Sequence, residues 1–349
     1  MEVQFLLGAQ IMIIQTAHGK IRTPFFMPVA TRGQIKSLSN QEIKLLKAQI
    51  ILLNAYHLMV YPGLNYLKKI KDIRNLIGWS GPILTDSGGY QVFSLTKFRK
   101  ITPEGVYFRE PKSGQEYFLS PEKSIEIQIK IGADIIMVLD ECPPYPCDYQ
   151  YAVKSLEITL EWAKRCKKYF EKHKKRGQLL FGIVQGSIFR DLREKSVQQL
   201  IKIGFDGYAI GGVSVGESKR EKNKVLRWVL PLLPNNQPRY LMGVGWPEEI
   251  VKYAKMGIDM FDCVIPTRHA RHGQIFDFYP NKDIFSPNFY QRIDLKKKKY
   301  RNHPKYQYLH YLFRINDPLG PRLATIHNLK FYLELMKKLR KNRVRHNNL

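Results

Sequence analysis

The sequence predicts an α/β fold of parallel strands buried on both faces, as one large domain or two smaller ones. Seven short apolar runs each end in a polar residue or a glycine: IILLNAYH, PILTDSGGYQ, IIMVLDEC, LLFGIVQG, GYAIGG, RYLMGVG and MFDCVIPTR. Helical stretches lie between them, the grammar of parallel strands whose carboxyl ends open onto one shared site. That arrangement puts Asn54, Asp86, Asp140, Gln185, Gly212, Gly243 and Asp262 at one rim. In a closed barrel that rim holds the chemistry. A barrel needs roughly 250 residues, so a chain of 349 has room for extensions.

From the start, FLLGAQIMII reads as an edge hairpin with HGK at its turn, and residues 1–30 as short strands ahead of the first barrel unit. The apolar segment is no signal core: Glu2 precedes it, and Gly8 and Gln10 interrupt it. SNQEIKLLKAQ opens a helix capped by Ser39 or Asn40. Residues 94–118 carry charges, turns and alternation, which predicts a hairpin inserted after the second strand. SPEKSIEIQIKIGAD has Ser120 as cap, Pro121 at the first helical position and Gly132 at the stop. FRDLREKSVQQLIKIGFDGYAIGG and WPEEIVKYAKMGIDMFDCV repeat the helix–glycine–strand order. Residues 281–325 are basic, aromatic and irregular. A final helix over 326–342 aligns Ile326, Leu329, Leu333, Met336 and Leu339 on one stripe. We read residues 1–349 as one domain: a barrel at about 30–280, a basic and helical C-terminal subdomain at about 281–330, and the last helix.

Lysine and arginine total 57 against 30 acidic residues, a net charge of +27. Such an excess favours a polyanionic partner, since each phosphate contact releases condensed counterions; solvated lysine-rich faces are the plainer alternative. Cys142, Cys147, Cys166 and Cys263 form no CxxC pair, which suits a reducing cytoplasm. No run of ~18 apolar residues exists to span a membrane.

Three segments concentrate the chemistry. In TDSGGYQ, Asp86 ends a strand, and Ser87, Gly88 and Gly89 leave backbone amides open beside the flat face of Tyr90, a set that suits a heterocycle. The plainer reading is a strand-end aspartate capping the next helix. In MFDCVIPTRHARHG, Asp262 lies inside an apolar run, where a carboxylate is costly unless paired or used. Arg268 and Arg271 follow on what reads as a loop and suggest a phosphate-bearing substrate; a structural pairing of Asp262 with an arginine is the alternative. Asp140, with Glu141 and Cys142 beside it, is placed to read the donor edge of a guanine-like base. Gln185 and the amides of Gly211 and Gly212 are complementary candidates, and GVGWPEE is a glycine-rich turn whose helix start suits a phosphate.

The motifs ILTDSGGYQVFSL, DECPPYP, FGIVQGS, AIGGVSVGES, YLMGVG, FDCVIPTRHARHGQ and IHNL resemble, in order, those of the bacterial tRNA-guanine transglycosylases, the queuine tRNA-ribosyltransferases. The resemblance runs from about residue 5 to 345. It implies a (β/α)8 TIM barrel and a pentosyltransferase of queuosine biosynthesis that replaces the wobble guanine of GUN-anticodon tRNAs (those for aspartate, asparagine, histidine and tyrosine). By motif position Asp262 is the nucleophile on the ribose and Asp86 the general acid/base. Ser87, Gly88, Gly89, Tyr90, Asp140, Gln185, Gly211, Gly212 and Met242 bind the base, with Tyr90 and Met242 on its two faces. Gly243, Val244, Gly245, Trp246, Pro247, Glu248 and Glu249, together with Thr267, Arg268, His269, Ala270 and Arg271, contact the RNA. Partners implied are the tRNA anticodon stem-loop, a 7-deazaguanine base and a second copy of the chain. Cys142 and Val215 match the bacterial pattern and favour 7-aminomethyl-7-deazaguanine over queuine.

The chain departs from this family at one place. The zinc expected from a CxCxxC motif plus the IHNL histidine would find Lys296, Lys298 and Arg301 where the cysteines stand, leaving His327 as the sole remaining ligand. Tetrahedral zinc needs thiolates, and lysines repel it. We therefore expect no zinc and no cofactor, with His327 a satisfied residue at a helix start and the subdomain held by Tyr290, Tyr300, Tyr306, Tyr308 and Tyr311. Two other functions fit parts of the pattern: a non-catalytic tRNA-binding partner subunit, disfavoured by retention of both aspartates, and a two-carboxylate glycoside hydrolase, disfavoured by the charge and the PTRHAR segment.

Overall fold

The computed structural model describes residues 11–346 apart from 71, 96, 97 and 112, with only the backbone at 95 and 344–346. The opening segment FLLGAQ lies outside the described residues. The described residues form fifteen strands, in chain order β1 (Ile13–Thr16), β2 (Gly19–Arg22), β3 (Phe25–Met27), β4 (Ile51–Asn54), β5 (Ile83–Asp86), β6 (Arg99–Thr102), β7 (Gly105–Arg109), β8 (Glu116–Leu119), β9 (Ile135–Met137), β10 (Leu179–Val184), β11 (Gly207–Ile210), β12 (Arg239–Leu241), β13 (Met260–Asp262), β14 (Gln274–Phe278) and β15 (Tyr290–Asp294).

Eight of them form one parallel sheet in the order β3-β13-β12-β11-β10-β9-β5-β4. A parallel bridge between Val29 and Leu52 joins the two ends and closes the barrel. All seven apolar runs supply strands. The eighth is Phe25–Met27, so the barrel begins before residue 30 rather than after it, and its last strand ends at Asp262. Apolar burial drives closure: Phe25, Phe26, Leu53, Leu84, Phe181 and Phe261 are all buried in one continuous core.

The hairpin β1–β2 plugs the amino-terminal end of the barrel. Its turn lies at Ala17 and His18, and the His18 ring reaches the Asp134 carboxylate just before β9 at 2.7 Å. The insertion at 94–118 is not a hairpin but a three-stranded antiparallel meander, β6-β7-β8. Its inner face stacks Phe108 on Tyr117 and leans on Tyr56 at the barrel mouth.

Helix boundaries follow the chemistry of their ends. Ser39 closes a capping box with Glu42, and Ser120 caps the helix Pro121–Ile131, which stops at Gly132 in the left-handed region. The final helix starts at Leu319, earlier than residue 326. Its buried stripe runs through Leu329, Tyr332, Leu335, Met336 and Leu339, while Leu333 sits at its margin. The side chain of Asn328 clamps the start of β14 by accepting from the Phe276 amide and donating to the Pro266 and Gln274 carbonyls.

Candidate active site

Asp86, Asp140 and Asp262 open onto one cavity of about 430 Å³ at the carboxyl ends of the strands, a volume suited to a small heterocyclic ligand. Asn54, Ser87, Gly88, Tyr90, Cys142, Gln185, Gly211, Gly212, Val215, Met242, Gly243 and Arg268 line it too. All seven residues that the strand pattern put at the rim are there.

Register explains the placement. Asn54 and Asp86 are direct partners at the ends of β4 and β5, so their side chains leave the sheet together. Asn54 donates to Asp86 Oδ2 at 2.5 Å, and the Ala55 amide donates to Oδ1 at 3.2 Å. Burial pushes the Asp86 carboxyl up to about 7; the charge of Asp262 adds to the rise, and the amide and Asn54 bonds oppose it. Across the barrel, Tyr240 pairs with Met260, which shares a strand face with Asp262. The Tyr240 hydroxyl and the Gly243 amide both donate to Asp262 Oδ1, at 2.7 and 2.8 Å. Oδ2 has no partner among the described residues. Burial raises the Asp262 pKa as well, against these two bonds.

Asp140 lies three residues beyond β9 and faces the cavity, whereas Glu141 turns outward to Ser155 and Tyr151. Gln185 donates to Asp140 Oδ2 at 2.7 Å, while its own Oε1 is buried with no partner among the described residues. Burial pushes Asp140 up to about 6, and the Gln185 bond resists that rise. Gly89 sits behind the cavity rather than on it. A Cβ there would come within 2.7 Å of the Asp140 carbonyl oxygen, so glycine lets the Asp86 loop and the Asp140 loop touch.

The RNA-contact set divides. Gly243 and Arg268 reach the cavity. Trp246 and His269 are half-buried with rings 5.4 Å apart, and Glu248 is exposed beside Lys219 and Tyr290. Val244, Gly245, Pro247, Glu249, Thr267 and Ala270 are buried and present no free side chain to a ligand. Glu249 is paired with Lys222, and Ala270 lies in the subdomain core. Arg271 is half-buried and donates to the Thr267 carbonyl. The PTRHAR segment is a helix, Ile265–Arg271, with Pro266 in its first turn, and not a loop. Tyr240, His57 and Ser214 line the cavity without having been singled out.

The donor set of the C-terminal subdomain does not fit a zinc ion. Among the described residues no group of three or more histidine, cysteine or acidic side chains converges. Lys298 lies in a short helical turn. His327 is not at a helix start but eight residues into the final helix, and its Nε2 donates to the Phe276 carbonyl at 3.0 Å. Tyr300 and Tyr306 are buried in a small separate core with Ile275, Ile293 and Leu295. Tyr290 packs on the main core, and Tyr308 and Tyr311 are each 56% exposed, so those two do not hold the subdomain.

Fold and site define a barrel enzyme with two half-buried carboxylates, Asp86 and Asp262, at its mouth and a heterocycle-sized cavity between them. The sequence matches the family described as queuine tRNA-ribosyltransferase over residues 7–348. A queuine tRNA-ribosyltransferase from Halothermothrix orenii is 50% identical over 332 residues, covering 94% of this chain and 88% of that protein. The chain therefore belongs to the queuine tRNA-ribosyltransferase family, pentosyltransferases of tRNA processing in queuosine biosynthesis. Among the described residues no helix is long and apolar enough to cross a membrane.

Proposed function

We propose that this chain replaces the wobble guanine of GUN-anticodon tRNAs by 7-aminomethyl-7-deazaguanine, with queuine as the alternative base, through a covalent aspartyl-ribosyl intermediate. The observation that carries this is the Asp262 carboxylate, held by two donors on Oδ1 with Oδ2 left over, in the cavity it shares with Asp86. Asp262 Oδ2 attacks the anomeric carbon C1′ of a flipped nucleotide. The C1′–N9 bond breaks, and guanine leaves with the bonding electrons and takes a proton from Asp86. The incoming base returns its N9 proton to Asp86, attacks C1′ and releases the Asp262 carboxylate. Two inversions give retention, and a flipped base requires a walled pocket. Tyr90 and Met242 cover its faces, and Asp140, Gln185 and Gly212 meet its edge. Cys142 and Val215 border the space for the 7-substituent.

Four unpaired thiols suit a reducing cytoplasm. The exposed Tyr308 and Tyr311 on the helix Gln307–Arg314, with Ile315 beside them, offer an apolar face for a second copy of the chain. No metal enters the reaction, and we propose that the subdomain stands without zinc.

The test is a denaturant-stable adduct with an unmodified anticodon stem-loop RNA. Wild type forms it and incorporates labelled guanine; Asp262→Asn forms none. A pure wild-type protein that binds this RNA yet neither forms an adduct nor exchanges guanine would be a binding subunit instead.

A further inference from the structure

Arg193 is a fully buried arginine on the helix Arg190–Ile203. Among the described residues no carboxylate contacts it, although the charge of Glu217 favours its cationic form. Its guanidinium instead donates to four backbone carbonyls: Nε to Ser187 at 2.7 Å, Nη1 to Val184 and Gly211 at 2.8 and 2.9 Å, and Nη2 to Gly212 at 2.8 Å. Val184 ends β10, and Gly211 and Gly212 follow β11. One planar group thus ties the ends of two neighbouring strands and the two loops that carry Gln185 and Gly212. A buried cation without a counter-ion is costly, and its place directly behind the cavity wall calls for a reason.

Peptide geometry supplies one. In a trans peptide the N–H points opposite to the C=O. The Gly211 carbonyl faces Arg193, so the Gly212 amide faces away from it, toward the cavity that Gly212 lines. Among the described residues no acceptor takes that amide. We propose that Arg193 is a positioning residue for base exchange: it turns the Gly211–Gly212 peptide so that the Gly212 amide meets the oxo edge of the bound purine, and it backs that amide with positive charge. As the C1′–N9 bond breaks, electron density spreads from the departing ring onto its exocyclic oxygen. A fixed donor there, aligned with a cation behind it, stabilises the developing charge. Burial lowers the Arg193 pKa to about 10, so it stays cationic at neutral pH.

The inference rests on the base-pocket reading above, and a comparison of two purines separates them. Guanine has the oxo group and 2-aminopurine lacks it. Wild type binds free guanine tighter by about tenfold or more. In Arg193→Met that advantage falls by about threefold or more, with 2-aminopurine binding unchanged; what remains is the guanine N1–H, which 2-aminopurine also lacks and Asp140 reads. In exchange assays the KM for the base rises and kcat falls while the KM for tRNA holds. Arg193→Lys keeps the charge and recovers part of the loss; it also serves should the methionine variant not fold. A folded variant with wild-type guanine preference and base KM overturns the role of Arg193 alone. A wild type that cannot tell the two purines apart overturns the base-pocket reading with it.

Discussion

Tyr240 and Asp262 meet at a single oxygen: the Tyr240 hydroxyl donates to Oδ1 at 2.7 Å, where the Gly243 amide also arrives at 2.8 Å. Both bonds favour the ionised carboxylate and so oppose the burial that raises its pKa. Tyr240→Phe removes one of them. Losing a bond to a charged group costs about 1.5 kcal/mol, roughly tenfold in the rate of adduct formation at neutral pH. The Asp262 pKa rises further in this variant, so its deficit relative to wild type is larger at acid pH and shrinks as pH rises. Single-turnover kinetics across pH check this; a deficit constant with pH would leave Tyr240 a purely steric role.

Asp86 sets the opposite limb. Its folded pKa of about 7 keeps much of it protonated at neutral pH, as the acid we propose for the departing guanine must be. Adduct formation therefore rises as Asp262 ionises and falls as pH passes through about 7. Asp86→Asn impairs turnover and abolishes the alkaline fall, while some adduct survives. The same shift has a stability consequence. The folded carboxyl binds its proton more tightly than the unfolded one, so its contribution to stability declines as pH rises from near 3.8 to about 7. Asp86→Asn relieves this above pH 7, raising the melting temperature by about 2–4 °C at pH 8 and hardly at all at pH 4.

The strands were legible because each buried run stops at a polar residue or a glycine, as at Asn54, Asp86 and Gly243. Phe25–Met27 escaped because a three-residue strand before Pro28 looks the same as an edge hairpin. Pro266 misled for a different reason: proline ends a strand but also suits the first turn of a helix, and the sequence alone does not choose. The meander carried its strand signals, yet pairing order depends on which faces the barrel mouth buries. Arg193 did leave a trace. It falls at the spacing of Leu192, Ser196, Val197 and Leu200, the buried side of its helix, where an unpaired arginine is already anomalous. Tyr240 left none, since an aromatic in a barrel strand is ordinary filling.

Gly212 tests the edge contact directly. Its φ of +57° is unfavourable for a side chain, and a Cβ there would lie 2.5 Å from Gln185 Oε1. Gly212→Ala therefore displaces the Gln185 amide and loosens its bond to Asp140. We expect the KM for the base to rise by about tenfold or more, since buried polar groups are left unpaired. The KM for tRNA stays within about twofold, because phosphate contacts dominate that affinity. Steady-state kinetics with base and tRNA varied separately decide it; equal effects on both would mean a general collapse of the mouth.

The C-terminal subdomain yields the last prediction. Where the family resemblance leads one to expect thiolates, this chain has Lys296, Lys298 and Arg301, and other bonds order the segment. Asp277 accepts from both Lys305 Nζ and the Tyr306 hydroxyl, the His310 ring reaches the Leu295 carbonyl at 2.7 Å, and the His303 ring stacks on Tyr306. Metal analysis of the pure protein should find well under one equivalent of zinc, and a chelator should leave the melting curve unmoved. Asp277→Ala releases two donors at once and should cost about 1–3 kcal/mol. His327→Ala loses only the bond to the Phe276 carbonyl, worth about 1 kcal/mol. That order of effects is opposite to the one a zinc site demands, where loss of the histidine ligand would do the greater damage.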